Sequence, residues 1–128
     1  MSWDVLLLKS KIDTTDMEAK PDLMGEKEAL IEEFKNLSSD VDFTDKSWGI
    51  YFDGQTSIEI NIGTDEEVNT IMLHIRGGGD PFNFIRTICN HFKWFALDCS
   101  TGHYIDFLNP SQDSWDRWQK YRDKIVGS

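Results

Sequence analysis

Asp98, His103 and Asp106 bring two carboxylates and an imidazole together around a turn at Ser100-Thr101-Gly102. Such groups can ligate a metal or work as an acid–base pair. Strand alternation works against them. If Leu97 faces a core, Asp98 faces out, and His103 and Asp106, three positions apart, point to opposite faces. A metal site needs a third or fourth ligand, and the neighbouring sequence offers none. The trio reads as turn-capping groups, and no metal or cofactor is expected.

His74 offers more. It alternates with Met72 and Arg76 on one strand, and the preceding strand places Glu59 and Asn61 on the same side. With Tyr51 added, an open sheet face carrying Tyr51, Glu59, His74 and Arg76 suits a binding surface or a shallow catalytic site. The plain alternative is a solvated face with one cross-strand ion pair. Gly77-Gly78-Gly79 precedes a helix, as in phosphate-binding loops, but Asp80-Pro81 stands where such a loop needs Gly-Lys-Ser/Thr. An aspartate and a missing amide donor oppose an anion, so the run reads as a strand-to-helix turn. Cys89 and Cys99 fall on apolar faces, behave as small hydrophobes, and are too few for a disulfide framework. No catalytic residue is assigned.

These groups need a scaffold. Residues 3–9 read as a central strand, with Val5-Leu6-Leu7-Leu8 apolar on both faces. Residues 10–24 form a polar loop. Residues 26–37 form an amphipathic helix with Leu30, Phe34 and Leu37 on one face and Glu26, Glu28, Glu32 and Glu33 elsewhere. Residues 38–47 read as a second polar connection. Strands follow at 48–52, 57–62 and 68–76, with Ile58, Ile60, Ile62, Ile71, Leu73 and Ile75 inward. Asp80 caps a helix that starts at Pro81 and runs to about Lys93. Phe95, Leu97 and Cys99 point inward on the next strand, and residues 103–107 return beside it. Residues 111–126 form a basic C-terminal helix carrying Trp115 and Trp118.

The order β-α-β-β-β-α-β-β-α predicts a single α+β domain over residues 1–128. The expected architecture is a two-layer sandwich. Its mainly antiparallel sheet has about five to six strands, with two helices on one face and a C-terminal helix.

Charge is unevenly spread. Residues 1–70 hold 17 Asp/Glu against 6 Lys/Arg, residues 71–128 hold 6 against 7, and the total is −10. Such a chain repels nucleic acid and anionic membranes and attracts basic partners. Asp4 interrupts the first apolar stretch, and no run is long enough to span a bilayer, so a cytoplasmic protein is expected.

Five segments resemble a family of small uncharacterised bacterial proteins: Met1-Ser2-Trp3-Asp4-Val5, Trp48-Gly49, Ser57-Ile58-Glu59, Leu73-His74-Ile75-Arg76-Gly77-Gly78, and Ala96-Leu97-Asp98-Cys99-Ser100-Thr101-Gly102. The resemblance covers about residues 1–107 and carries over no functional residue. In size, charge and lack of a catalytic motif the chain is also similar to immunity proteins of bacterial toxin systems.

Three readings follow. The first is a non-enzymatic acidic protein that neutralises a basic partner through Glu28, Glu32, Glu33, Asp40, Asp42 and Asp45. The second is a small enzyme or ligand-binding domain using the open sheet face. The third is an oligomeric structural module, a homo-oligomer built through Trp115 and Trp118, which would otherwise pack on their own domain.

Overall fold

Four consecutive apolar residues from Val5 to Leu8 require cover on both faces, and the chain meets this by placing them inside a sheet. The computed structural model describes residues 2–107. In chain order its elements are β1 (Trp3–Leu8), β2 (Gly25–Glu26), α1 (Lys27–Leu37), β3 (Val41–Asp45), β4 (Trp48–Phe52) and β5 (Thr56–Asn61). Then come β6 (Glu67–Val68), β7 (Ile71–Gly77), α2 (Phe82–Phe92), β8 (Phe95–Asp98) and β9 (His103–Tyr104). The fold is α+β. Seven strands pair antiparallel in the order β3-β4-β5-β7-β1-β8-β9, and β2 pairs with β6 in a separate ribbon.

Both helices cover one sheet face. Leu30, Ile31 and Phe34 of α1 and Phe84, Ile85 and Ile88 of α2 share one core with Val5, Leu7, Ile58, Ile60, Ile71, Leu73 and Ile75. Phe34 is fully buried and lies against the rings of Phe43, Phe92 and Trp94. The start of α2 lies one residue later than its capping sequence implies, at Phe82 with Pro81 as N-cap. Asp80 Oδ1 accepts the Phe82 N–H at 2.9 Å, and Pro81 already has helical angles (φ −76°, ψ −18°). No described helix is long and apolar enough to cross a membrane.

Several expectations need correction. Residues 38–47 are not simply a connection, because Val41 and Phe43 alternate inward on β3, an edge strand. The 68–76 strand is broken at Asn69 and Thr70, so Glu67–Val68 leaves the main sheet to pair with β2. These short pieces raise the strand count above the five or six expected. On β8 the faces are reversed: Ala96 pairs with Leu7 and Asp98 with Val5 on the helix side, whereas Leu97 pairs with Leu6 and Phe95 with Leu8 on the other. Phe95 and Cys99 are exposed, and Asp98 is buried. The 103–107 strand shortens to His103–Tyr104. The C-terminal helix, with Trp115 and Trp118, lies outside the described residues.

The β3 edge is irregular. Its register with β4 shifts between Asp42 and Asp45. Within that shift Asp42 Oδ1 accepts the Thr44 N–H at 2.8 Å and the Thr44 hydroxyl at 2.6 Å. Asp45 Oδ1 does the same for Ser47, at 2.9 and 2.8 Å. These side chains satisfy amides that a regular edge would leave open.

Candidate functional site

The face turned away from the helices is set by register. Glu59, His74 and Asp4 stand side by side on β5, β7 and β1, and Ile50 of β4 pairs with Glu59 from the other side. His74 Nδ1 lies 2.8 Å from Asp4 Oδ1, which makes Nδ1 the protonated nitrogen when the carboxylate is ionised. The Trp48 indole stacks on the imidazole, with centroids 5.7 Å apart and planes 16° from parallel. Arg76 Nη1 pairs with Glu59 Oε1 at 2.5 Å. Of the four residues expected together, Glu59, His74 and Arg76 meet here.

Tyr51 does not, which corrects its assignment. It pairs with Ile58 on the helix side, and its ring centroid lies 3.8 Å from that of Phe84. Its hydroxyl donates to Asp53 Oδ2 at 3.2 Å. Burial, then the charge and hydrogen bond of Asp53 and the charge of Asp40, push its phenol up to about 12. The residues that do occupy the outer face of β4 are Trp48, Ile50 and Phe52. Ile50 and Phe52 are 44% and 55% exposed, whereas Leu8 and Leu97 on the same sheet face are buried. Reading 48–52 as uniformly apolar hides this. The side-chain-free Gly49, which lies under the Phe43 ring, is what turns Trp48, Ile50 and Phe52 outward.

The six acidic residues are spread over α1, β3 and the residue before β3. Glu28, Glu32 and Glu33 are exposed on α1, where they meet Lys46 (3.0 Å), Lys35 (4.0 Å) and His91 (3.6 Å). Asp42 and Asp45 lie on β3, paired with Ile50 and Trp48, so they border the outer sheet face. Asp40 precedes that strand. Hydrogen bonds from Thr44 and Ser47 hold the Asp42 and Asp45 carboxyls below the usual range.

The Asp98–His103–Asp106 trio does not form a centre. Asp98 is 1% exposed, contrary to its expected outward position, and His103 and Asp106 are exposed. Asp98 Oδ1 accepts from the Trp3 indole N–H at 2.9 Å, the Ser100 amide at 2.9 Å and the Ser100 hydroxyl at 2.7 Å. Among the described residues no group of three or more His, Cys, Asp or Glu is arranged to hold a metal.

The triple glycine is a packing device. Gly77 and Gly79 have φ of +91° and +87°, and a Cβ on either would sit 2.6 Å from Gln55 O or Thr56 Oγ1. Thr56, itself buried, donates its hydroxyl to Gly78 O at 2.8 Å. The turn is thus fastened to the β4–β5 hairpin. Burial pushes the Cys89 thiol up to about 12. Cys99 is exposed as a residue, but partial burial of its sulfur and the charges of Asp4 and Asp98 raise its thiol as well. Neither is a ready thiolate.

Asp4 supplies a pH test. Burial raises its carboxyl, but hydrogen bonds from Ser2 and His74 and the charges of His74 and Arg76 outweigh it, so the net shift is downward. A depressed carboxyl adds stability above the unfolded-state pKa and loses it as pH falls through the folded one. Urea unfolding below about pH 4 should therefore show a gentler loss of stability in Asp4→Asn than in the parent. The Asp4 side chain is 41% exposed, so screening limits the difference to a few tenths of a kcal/mol. Parallel curves would show that the Asp4–His74 contact adds nothing to stability.

Fold and face together define an α+β protein that displays a mixed apolar and acidic sheet surface. Comparison with protein-family models, curated proteins and solved structures finds no match to this chain.

Proposed function

We propose that this chain is a non-enzymatic acidic binding protein whose partner is a basic protein, and that it serves as an immunity protein neutralising a basic toxin in the bacterial cytoplasm. The observation that carries this reading is the net −11 of residues 1–70, to which Glu28, Glu32 and Glu33 on α1 and Asp42 and Asp45 on the β3 edge contribute. Glu28, Glu32, Glu33, Asp40, Asp42 and Asp45 add to a field that attracts a cationic surface.

The test is co-expression with the products of neighbouring genes. A basic product should co-purify, and its growth toxicity should be relieved. Its affinity should fall at least about tenfold between low and high salt, as screening removes the steering charges. If no basic neighbour binds, or if binding is indifferent to salt, the proposal fails.

A further inference from the structure

The acidic surface alone does not say where a partner sits. The outer face of β4 does. Phe52 and Ile50 are among the most exposed large hydrophobic residues of the described chain, and Trp48 continues their row. An aromatic and aliphatic row of this kind is what interfaces use as anchors. It has an acidic border: Asp42 is paired with Ile50, Asp45 with Trp48, and Asp53 follows Phe52 in the turn. Hydrogen bonds to these three carboxyls hold each below the usual range.

We propose that this strip is the docking surface for a basic amphipathic segment of the partner protein. Apolar side chains of the segment would cover Trp48, Ile50 and Phe52, and its lysines or arginines would meet Asp42, Asp45 and Asp53. The inference rests on the basic-partner reading and moves the contact from α1 to the sheet. Charge selects the occupant. A second copy of this chain would set the same carboxylates against their own equivalents, which costs affinity. A basic segment gains both the apolar cover and the opposite charge.

The experiment titrates the full-length, ¹⁵N-labelled chain with two synthetic peptides of equal charge, one alternating lysine and leucine, the other lysine and serine. The lysine–leucine peptide should bind at least about tenfold tighter, since it alone buries apolar surface. Amide shifts should centre on residues 48–52. Ile50→Ser combined with Phe52→Ser should remove the tenfold advantage; both sites are exposed, so the variant keeps its fold, as circular dichroism would verify. Glu32→Lys combined with Glu33→Lys removes steering charge from both complexes, so it should weaken the two peptides alike and leave their tenfold ratio within about threefold.

If the helix reversal abolishes binding while the β4 variant binds normally, the docking site is overturned and the basic-partner reading survives. If neither peptide binds, both are overturned. A sedimentation profile showing a dimer that the β4 variant dissociates would overturn the docking site in favour of a second copy.

Discussion

Asp98→Ala should lower the unfolding free energy by about 3 kcal/mol, a large share of the roughly 5–15 kcal/mol that holds a domain folded. The loss has two parts. The carboxylate is buried and takes hydrogen bonds from the Trp3 indole and from the amide and hydroxyl of Ser100. Alanine removes all of these, and the loss of hydrogen bonds made to a buried carboxylate away from water is costly. The indole is also a junction, since the Trp3 ring packs on Phe82 with centroids 5.3 Å apart. The first strand, the turn after β8 and the start of α2 therefore loosen together. Asn in place of Asp98 keeps the accepting oxygen and should cost about 1 kcal/mol. Urea unfolding followed by fluorescence would measure both. A loss below 1 kcal/mol for alanine would mean that the Trp3–Asp98 bond contributes little.

Gly49→Ala should be nearly as damaging, by about 2–3 kcal/mol, although alanine is otherwise a mild change. A Cβ at Gly49 would lie 2.4–2.7 Å from three carbons of the Phe43 ring. No real contact is so short, so the ring must move. Phe43 is held by burial and by Phe34, 5.9 Å away between centroids, and the displacement passes into the core under α1. The mechanism has a signature. Phe43→Leu alone should cost about 1–2 kcal/mol through lost packing. In the Phe43→Leu, Gly49→Ala double variant the smaller side chain makes room for the methyl. The double variant should be more stable than the sum of its parts by about 1–2 kcal/mol. Simple additivity would place the damage elsewhere than in the ring contact.

Where one face is apolar and the other polar, the sequence reads directly. Ile58, Ile60, Ile71, Leu73 and Ile75 are all fully buried, because period-two alternation leaves one way to orient the strand. The same alternation places Glu59, His74 and Arg76 together on the outer face. It fails where composition and burial disagree. β3 has only Val41 and Phe43 to mark it, and the aspartates around them look like loop. On β8 the apolar Phe95, Leu97 and Cys99 outweigh Ala96 and Asp98, yet Asp98 is inside, because its indole partner comes from 95 residues away. No local window contains that bond. β4 is apolar on both sides, so its pattern does not decide whether Tyr51 or Trp48 faces the helices; Gly49 under Phe43 decides it. Asp4 joins His74 only because β1 inserts between β7 and β8, which is a property of topology and not of spacing.

The irregular β3 edge has a consequence for the behaviour of the protein at high concentration. An open strand edge invites a foreign strand to add on, the first step toward aggregates and fibrils. Here the step in register and the two aspartate-held turns interrupt the hydrogen-bonding ladder, while fixed negative charge repels another molecule of the same kind. Sideways growth at this edge is therefore disfavoured even though Ile50 and Phe52 lie uncovered one strand inward. The carboxylates that would welcome a cationic partner also keep the chain from polymerising on itself.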